Sequence, residues 1–100
     1  MRIEFCGVFH YADDGIDIDF PDVPCAVTCA YSREEAFKMA EEVLEIVLHG
    51  TQYKDLPIAT PRDLIKCDDT SEVVDIAISM NVDRGVLYGP NVVEIQSRTD

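Results

Sequence analysis

Residues 16–20 read Ile, Asp, Ile, Asp, Phe, an alternation without a fault. Successive side chains of a β-strand point to opposite faces, so Ile16, Ile18 and Phe20 fall on one side and Asp17 and Asp19 on the other. Such a run demands a core beneath one face and leaves carboxylates above the other. Two more stretches keep the same period. Residues 2–9 put Ile3, Phe5 and Phe9 on one face; residues 72–80 put Val74, Ile76, Ile78 and Met80 on one face and Asp75, Ala77 and Ser79 on the other. Between the first two runs, Ala12-Asp13-Asp14-Gly15 is turn chemistry and predicts an antiparallel hairpin. Pro21 and Pro24 end the second strand, since proline has no N–H for the ladder. Residues 26–31 are β-prone and predict a third strand.

The clear helical period lies in one segment. Ser32 fits an N-cap, and Glu35 three residues later completes a capping box. Ala36, Met39, Ala40, Val43, Leu44, Val47 and Leu48 then recur at spacings of three and four. His49 lies at the negative helix end, and Gly50 suits the residue after the cap. Glu41, Glu42 and Glu45 read as a solvated face. Residues 51–71, with Pro57 and Pro61, read as a connection with a short helical turn from Thr60 through Ile65. The stretches beginning at Gly85 and Asn91, around Gly89-Pro90, read as a small hairpin or a trailing strand.

The expected fold is therefore α+β: a mainly antiparallel sheet in the order β-β-β-α-β, with one long amphipathic helix on one face. Residues 1–80 form the domain, and residues 81–100 a short extension that is no separate domain. A chain of 100 residues, 47% of them apolar, suffices for one core and no more. One helix leaves part of the sheet open, and open faces and edges predict a homo-oligomer or a partner.

Charge narrows the partners. Eight Lys and Arg stand against 20 Asp and Glu, a net charge of −12. Binding to nucleic acid rests on neutralising phosphates, so a reader of DNA or RNA made from this chain alone is not expected. A basic protein partner would be attracted. No apolar run approaches the ~20 residues that span a bilayer, and the first residues lack the pattern of a secretion signal, so the expected location is the cytoplasm. There the four cysteines, Cys6, Cys25, Cys29 and Cys67, read as thiols, mostly buried, and not as disulfides or metal ligands.

Asp13, Asp14, Asp17, Asp19 and Asp22 form the densest set of candidate functional groups. Clustered carboxylates can hold Mg²⁺, but turns account for Asp13, Asp14 and Asp22, and a metal-dependent nuclease is the weaker reading. His10 ends the first strand beside Tyr11, and no Ser-His-Asp or Cys-His constellation can be argued from spacing. No nucleotide-binding loop is present. No catalytic residue, metal or cofactor is assigned. Asp17, Asp19 and Asp22 are assigned to partner binding.

The string Phe20-Pro21-Asp22-Val23-Pro24, after a Gly15-containing hairpin and before Thr28, followed by Glu34-Glu35-Ala36 opening a helix that ends near Gly50, resembles the N-terminal domain of HicB-type antitoxins over about residues 1–80. The resemblance implies a truncated RNase H-like fold. It also implies that the chain masks a small basic ribonuclease of the HicA type that cleaves mRNA. Two departures stand out. Cys25-Ala26 replaces the family's Gly-Cys, and too little chain follows residue 80 for the ribbon-helix-helix that many members use to bind promoters. The alternative is an orphan, self-associating domain with a regulatory or scaffold role and no toxin.

Overall fold

The structure, a computed structural model, describes residues 1–92. Its elements are β1 (Arg2–Ala12), β2 (Gly15–Asp19), β3 (Val27–Ala30), the helix α1 (Arg33–Leu48), β4 (Ser71–Ser79), β5 (Asn81–Asp83) and β6 (Val86–Tyr88), with 3-10 turns at Tyr53–Asp55 and Arg62–Leu64. β1 to β4 form one antiparallel sheet in the spatial order β3-β2-β1-β4. This is the α+β arrangement with the predicted order β-β-β-α-β. The final strand returns to pair with the first, so β1 is an inner strand.

Alternation sets the two faces. Ile3, Phe5, Phe9, Ile16, Ile18, Phe20, Val74, Ile76, Ile78 and Met80 form the core beneath α1, which contributes Ala36, Ala40, Leu44 and Leu48. Alanine at two of the four buried apolar helix positions lets the helix lie close to the sheet. Phe9 is fully buried, and its ring meets Phe37 edge to face at 5.1 Å. Burying a phenylalanine side chain removes enough apolar area from water to contribute roughly 1.5–3 kcal/mol.

Local chemistry fixes the ends of the elements. Ser32 accepts a hydrogen bond from the Glu35 amide at 3.1 Å. The reciprocal bond of the expected capping box is displaced by one residue: Glu35 Oε1 accepts from the Tyr31 amide, at 2.7 Å. The β1–β2 turn needs Gly15, whose φ of 149° is closed to other residues and whose place would set a Cβ 3.0 Å from the Ala30 carbonyl. Cys25 needs no glycine conformation, because Arg84 is the sole non-glycine residue with positive φ among the described residues.

The last described elements differ from expectation. The hairpin is β5–β6, turned by Arg84 and Gly85 at φ 53° and 78°, and not a structure around Gly89-Pro90. Two consecutive positive φ values suit a two-residue hairpin loop, whose twist then matches its strands. Residues 91 and 92 are not strand, and the rest of that expected segment lies outside the described residues. Leu87 enters the main core fully buried, and the β6 backbone bonds back to the chain after the helix: Gly50 N to Leu87 O at 2.7 Å and Leu87 N to Thr51 O at 2.9 Å.

Glu45 is not on a solvated face. It is buried and accepts from the Asn91 amide at 2.8 Å and from Asn91 Nδ2 at 3.4 Å. His49 does sit at the helix end, where its Nδ1 accepts from the Gly89 amide at 3.0 Å. The cysteines also depart from expectation: Cys6 is buried, while Cys25, Cys29 and Cys67 are exposed. Cys25 belongs to the turn before β3, and the outward face of the edge strand carries Cys29.

Candidate partner-binding face

The face away from α1 follows from strand register. His10 pairs with Asp17 and Val8 with Asp19; Asp17 in turn pairs with Cys29 and Asp19 with Val27. Paired residues share a face, so Val8, His10, Asp17, Asp19, Val27 and Cys29 form one patch. The patch is half covered. Residues 60–67 cross it, with Ile65 packed on Cys6, Val8 and Val73. Asp22 pins this crossing, its two oxygens accepting from Thr60 N and Thr60 Oγ1, both at 2.7 Å.

The three assigned carboxylates thus have three situations. Asp17 is exposed and has no ion-pair partner among the described residues. Asp19 is half exposed and lies 3.0 Å from His10 Nε2. Asp22 is engaged through both oxygens with Thr60. The fold brings Asp17 and Asp19 together and gives Asp22 a task inside the molecule.

Further carboxylates gather at the same end of the sheet. The Tyr11 amide donates to the Thr70 carbonyl at 2.8 Å, which sets the Asp13-Asp14 turn beside the turn holding Asp68 and Asp69. Asp68 accepts from Thr70 Oγ1 at 2.8 Å, Ser71 Oγ at 2.9 Å and Thr70 N at 3.0 Å. Those bonds, the Thr70 hydroxyl first, hold its carboxyl below the ordinary carboxylate range. Asp68 therefore stays ionised at neutral pH.

Ser71 continues from Asp68 to histidine: His10 Nδ1 lies 3.0 Å from Ser71 Oγ, and the other ring nitrogen faces Asp19. An Asp-His-Ser chain therefore exists that spacing along the sequence did not reveal. Ser71 Oγ lies within hydrogen-bond distance of two groups, Asp68 Oδ1 at 2.9 Å and His10 Nδ1 at 3.0 Å, and the imidazole tautomer sets which partner donates across the second contact. The chain fastens β1, β2 and the start of β4 across the acidic end.

Beside it, Val8, His10, Asp19, Phe20, Pro21, Pro24, Val27 and Lys66 line an open groove of about 490 Å³. Val27 is 59% exposed and forms its apolar margin. Among the described residues, no three His, Cys, Asp or Glu side chains are placed to hold a metal ion together.

Three of the arginines are taken up by other carboxylates. Arg33 grips Glu72 with two bonds, Nε at 3.1 Å and Nη2 at 2.7 Å, while Tyr11 donates to the same carboxylate at 2.6 Å. The bonds from Arg33, then that from Tyr11, bring the Glu72 carboxyl down to about 2. Arg62 pairs with Asp75 at 3.4 Å and Arg2 with Glu4 at 3.7 Å. Asp75 also accepts from the Cys6 thiol at 3.4 Å. Burial first, and then this carboxylate, pushes that thiol up. With these cations occupied, Asp13, Asp14, Asp17 and Asp69 keep their charge uncompensated by any ion pair among the described residues.

Comparison with known proteins gives a likeness among solved structures. No protein-family model matches the sequence, and no curated protein does. Among solved structures, the chain is similar to one described as a toxin-antitoxin complex from Streptococcus pneumoniae. Identity is 16% and the TM-score 0.66, over 100% of this chain and 82% of that one. At that identity the likeness is one of fold. Among the described residues no helix is long and apolar enough to cross a membrane.

Proposed function

We propose that this chain is a HicB-like antitoxin, a binding protein and not an enzyme, that masks a small basic ribonuclease of the HicA type in the cytoplasm. The observation that carries the reading is the full-length likeness in fold to a chain of a toxin-antitoxin complex. The uncompensated carboxylates at one end of the sheet support it. A ribonuclease needs an electropositive surface to hold RNA. A surface bearing Asp13, Asp14, Asp17 and Asp19 competes for that field and draws the toxin in, while Val27 and the groove beside it supply apolar contact. Opposite charge speeds encounter, and buried apolar anchors slow release.

The test starts with the tagged chain at low salt in its native cytosol. A small basic protein should co-purify in stoichiometric amount, cleave mRNA by itself, and stop cleaving when this chain is restored. Asp17→Lys with Asp19→Lys should weaken the complex by about tenfold or more, and added salt should weaken the wild-type complex. A recovered basic protein whose RNA cleavage is unchanged by this chain would overturn the reading.

A further inference from the structure

We propose that the outer edge of β4 is a self-association surface, on which a second copy of this chain pairs β4 against β4, antiparallel, about a two-fold axis at Ala77. The inference is independent of the antitoxin reading and begins with hydrogen-bond parity. Met1 N donates to Met80 O and Met80 N to Met1 O, both at 2.8 Å. In an antiparallel pair such doubly bonded positions alternate with positions whose N–H and C=O point away. Since Ile3 pairs with Ile78 and Phe5 with Ile76, the backbone groups of Val74, Ile76 and Ile78 turn toward β1. Those of Val73, Asp75, Ala77 and Ser79 turn outward. The Tyr11-to-Thr70 bond at the other end obeys the same parity. No strand of the described chain lies beyond β4 in the sheet, so a nine-residue strand offers its outer ladder to solvent.

Charge argues that the occupant is a second copy. On a chain of net charge −12, residues 73–81 carry one ionisable side chain, Asp75, and Arg62 pairs with it. Two copies meet here with the least like-charge opposition. An axis at Ala77 sets Asp75 opposite Ser79 of the second copy and Ala77 opposite Ala77, while Ile76 meets Ile78 on the helix side. An axis at Asp75 would set two carboxylates opposite each other, which is unfavourable. The alanine at the centre adds no bulk, and the contact is the same on both copies and closes on itself. The product is one continuous sheet running through both copies.

Sedimentation equilibrium on the purified full chain, with amide exchange read by NMR, tests this. The wild type should be a dimer that tightens with added salt, because screening relieves repulsion between two acidic copies; docking of a basic toxin weakens instead. The Asp75, Ala77 and Ser79 amides should become protected as concentration rises. Ala77→Lys and Ala77→Glu should each weaken self-association by about tenfold or more, since each sets like charges opposite one another. Mixing the two variants should restore a dimer. Cys29→Lys, on the opposite edge, should leave association unchanged. A wild type that stays monomeric, a dimer indifferent to both Ala77 substitutions, or a mixture that fails to restore pairing would each overturn the proposal. Should either Ala77 variant fail to fold by circular dichroism, amide protection in the wild type decides alone.

Discussion

The two edges of the sheet are managed in opposite ways. β3 is four residues long and closed at both ends: the Val27 amide bends back to the Cys25 carbonyl at 3.2 Å, and the Tyr31 amide is taken by Glu35. β4 is more than twice as long, with its outer amides in an unbroken alternation. A short strand whose end donors are occupied offers little to an incoming chain, while a long, regular, weakly charged one offers a template. Asp17 and Asp19 lie on β2, next to the closed edge, where the proposed partner would meet side chains. Along the open edge, a second copy would meet the backbone. On the two proposals above, one small sheet separates recognition by charge from recognition by main-chain pairing.

The comparison can be broken at its foundations. An open edge is tolerable when the strand behind it is firmly held, and β4 is held at its end by the hairpin that brings Leu87 into the core. Leu87→Ala should cost about 2–5 kcal/mol in chemical denaturation, as for other fully buried leucines. A cost below about 1 kcal/mol would mean that the hairpin is an appendage and that β4 is anchored by β1 alone. The closed edge offers a smaller change. Glu35→Ala removes the acceptor for Tyr31 N and leaves in place the bond from the residue-35 amide to Ser32. It should cost about 1 kcal/mol and make the Tyr31 amide exchange faster, with the Cys29 amide as internal reference. Unchanged exchange at Tyr31 would refute the closing role of Glu35.

The smallest effect belongs to the start of β4, where Arg33 and Tyr11 hold Glu72. Its carboxyl titrates near 2 in the fold, against roughly 4.3 in an unfolded chain. The unfolded state then binds more protons between those values. The contribution is complete above about pH 4.3 and is lost as pH falls toward 2. Because the cluster is partly solvated, Glu72→Gln should cost less than about 1 kcal/mol at neutral pH. The difference from wild type should vanish in acid. A gap that persists at the lowest pH would assign the effect to packing instead of charge.

Much of this arrangement can be read from local pattern, and the exceptions share a cause. The faultless alternation of residues 16–20 becomes β2, and Ser32 does start the helix, because each depends on neighbours within a few positions. Glu45 reads as solvated from the helix alone; Asn91, far along the chain, is what buries it. Asp22 reads as a partner residue from its place beside β2, and the sequence does not show that Thr60 bonds both its oxygens. The Asp19-His10-Ser71 chain is hidden for the same reason, since β4 returns to β1 only in three dimensions. Asp17 and Asp19 keep their predicted side of the sheet because period alone determines it. The exposed cysteines have a different origin: an edge strand, a turn and an irregular connection leave no neighbour to cover them.

The return of β4 to β1 also governs how this chain comes to be folded. Pairs such as Ile3 with Ile78 join opposite ends of the sequence, which raises contact order and slows the search for the native state. During synthesis, β1, β2, β3 and the helix emerge while the second side of β1 waits for a strand not yet made. A ribosome-bound or truncated chain ending before residue 71 therefore presents Phe5, Val8 and Phe9 in a sheet lacking its fourth strand. Such intermediates are the species on which aggregation and chaperone capture act.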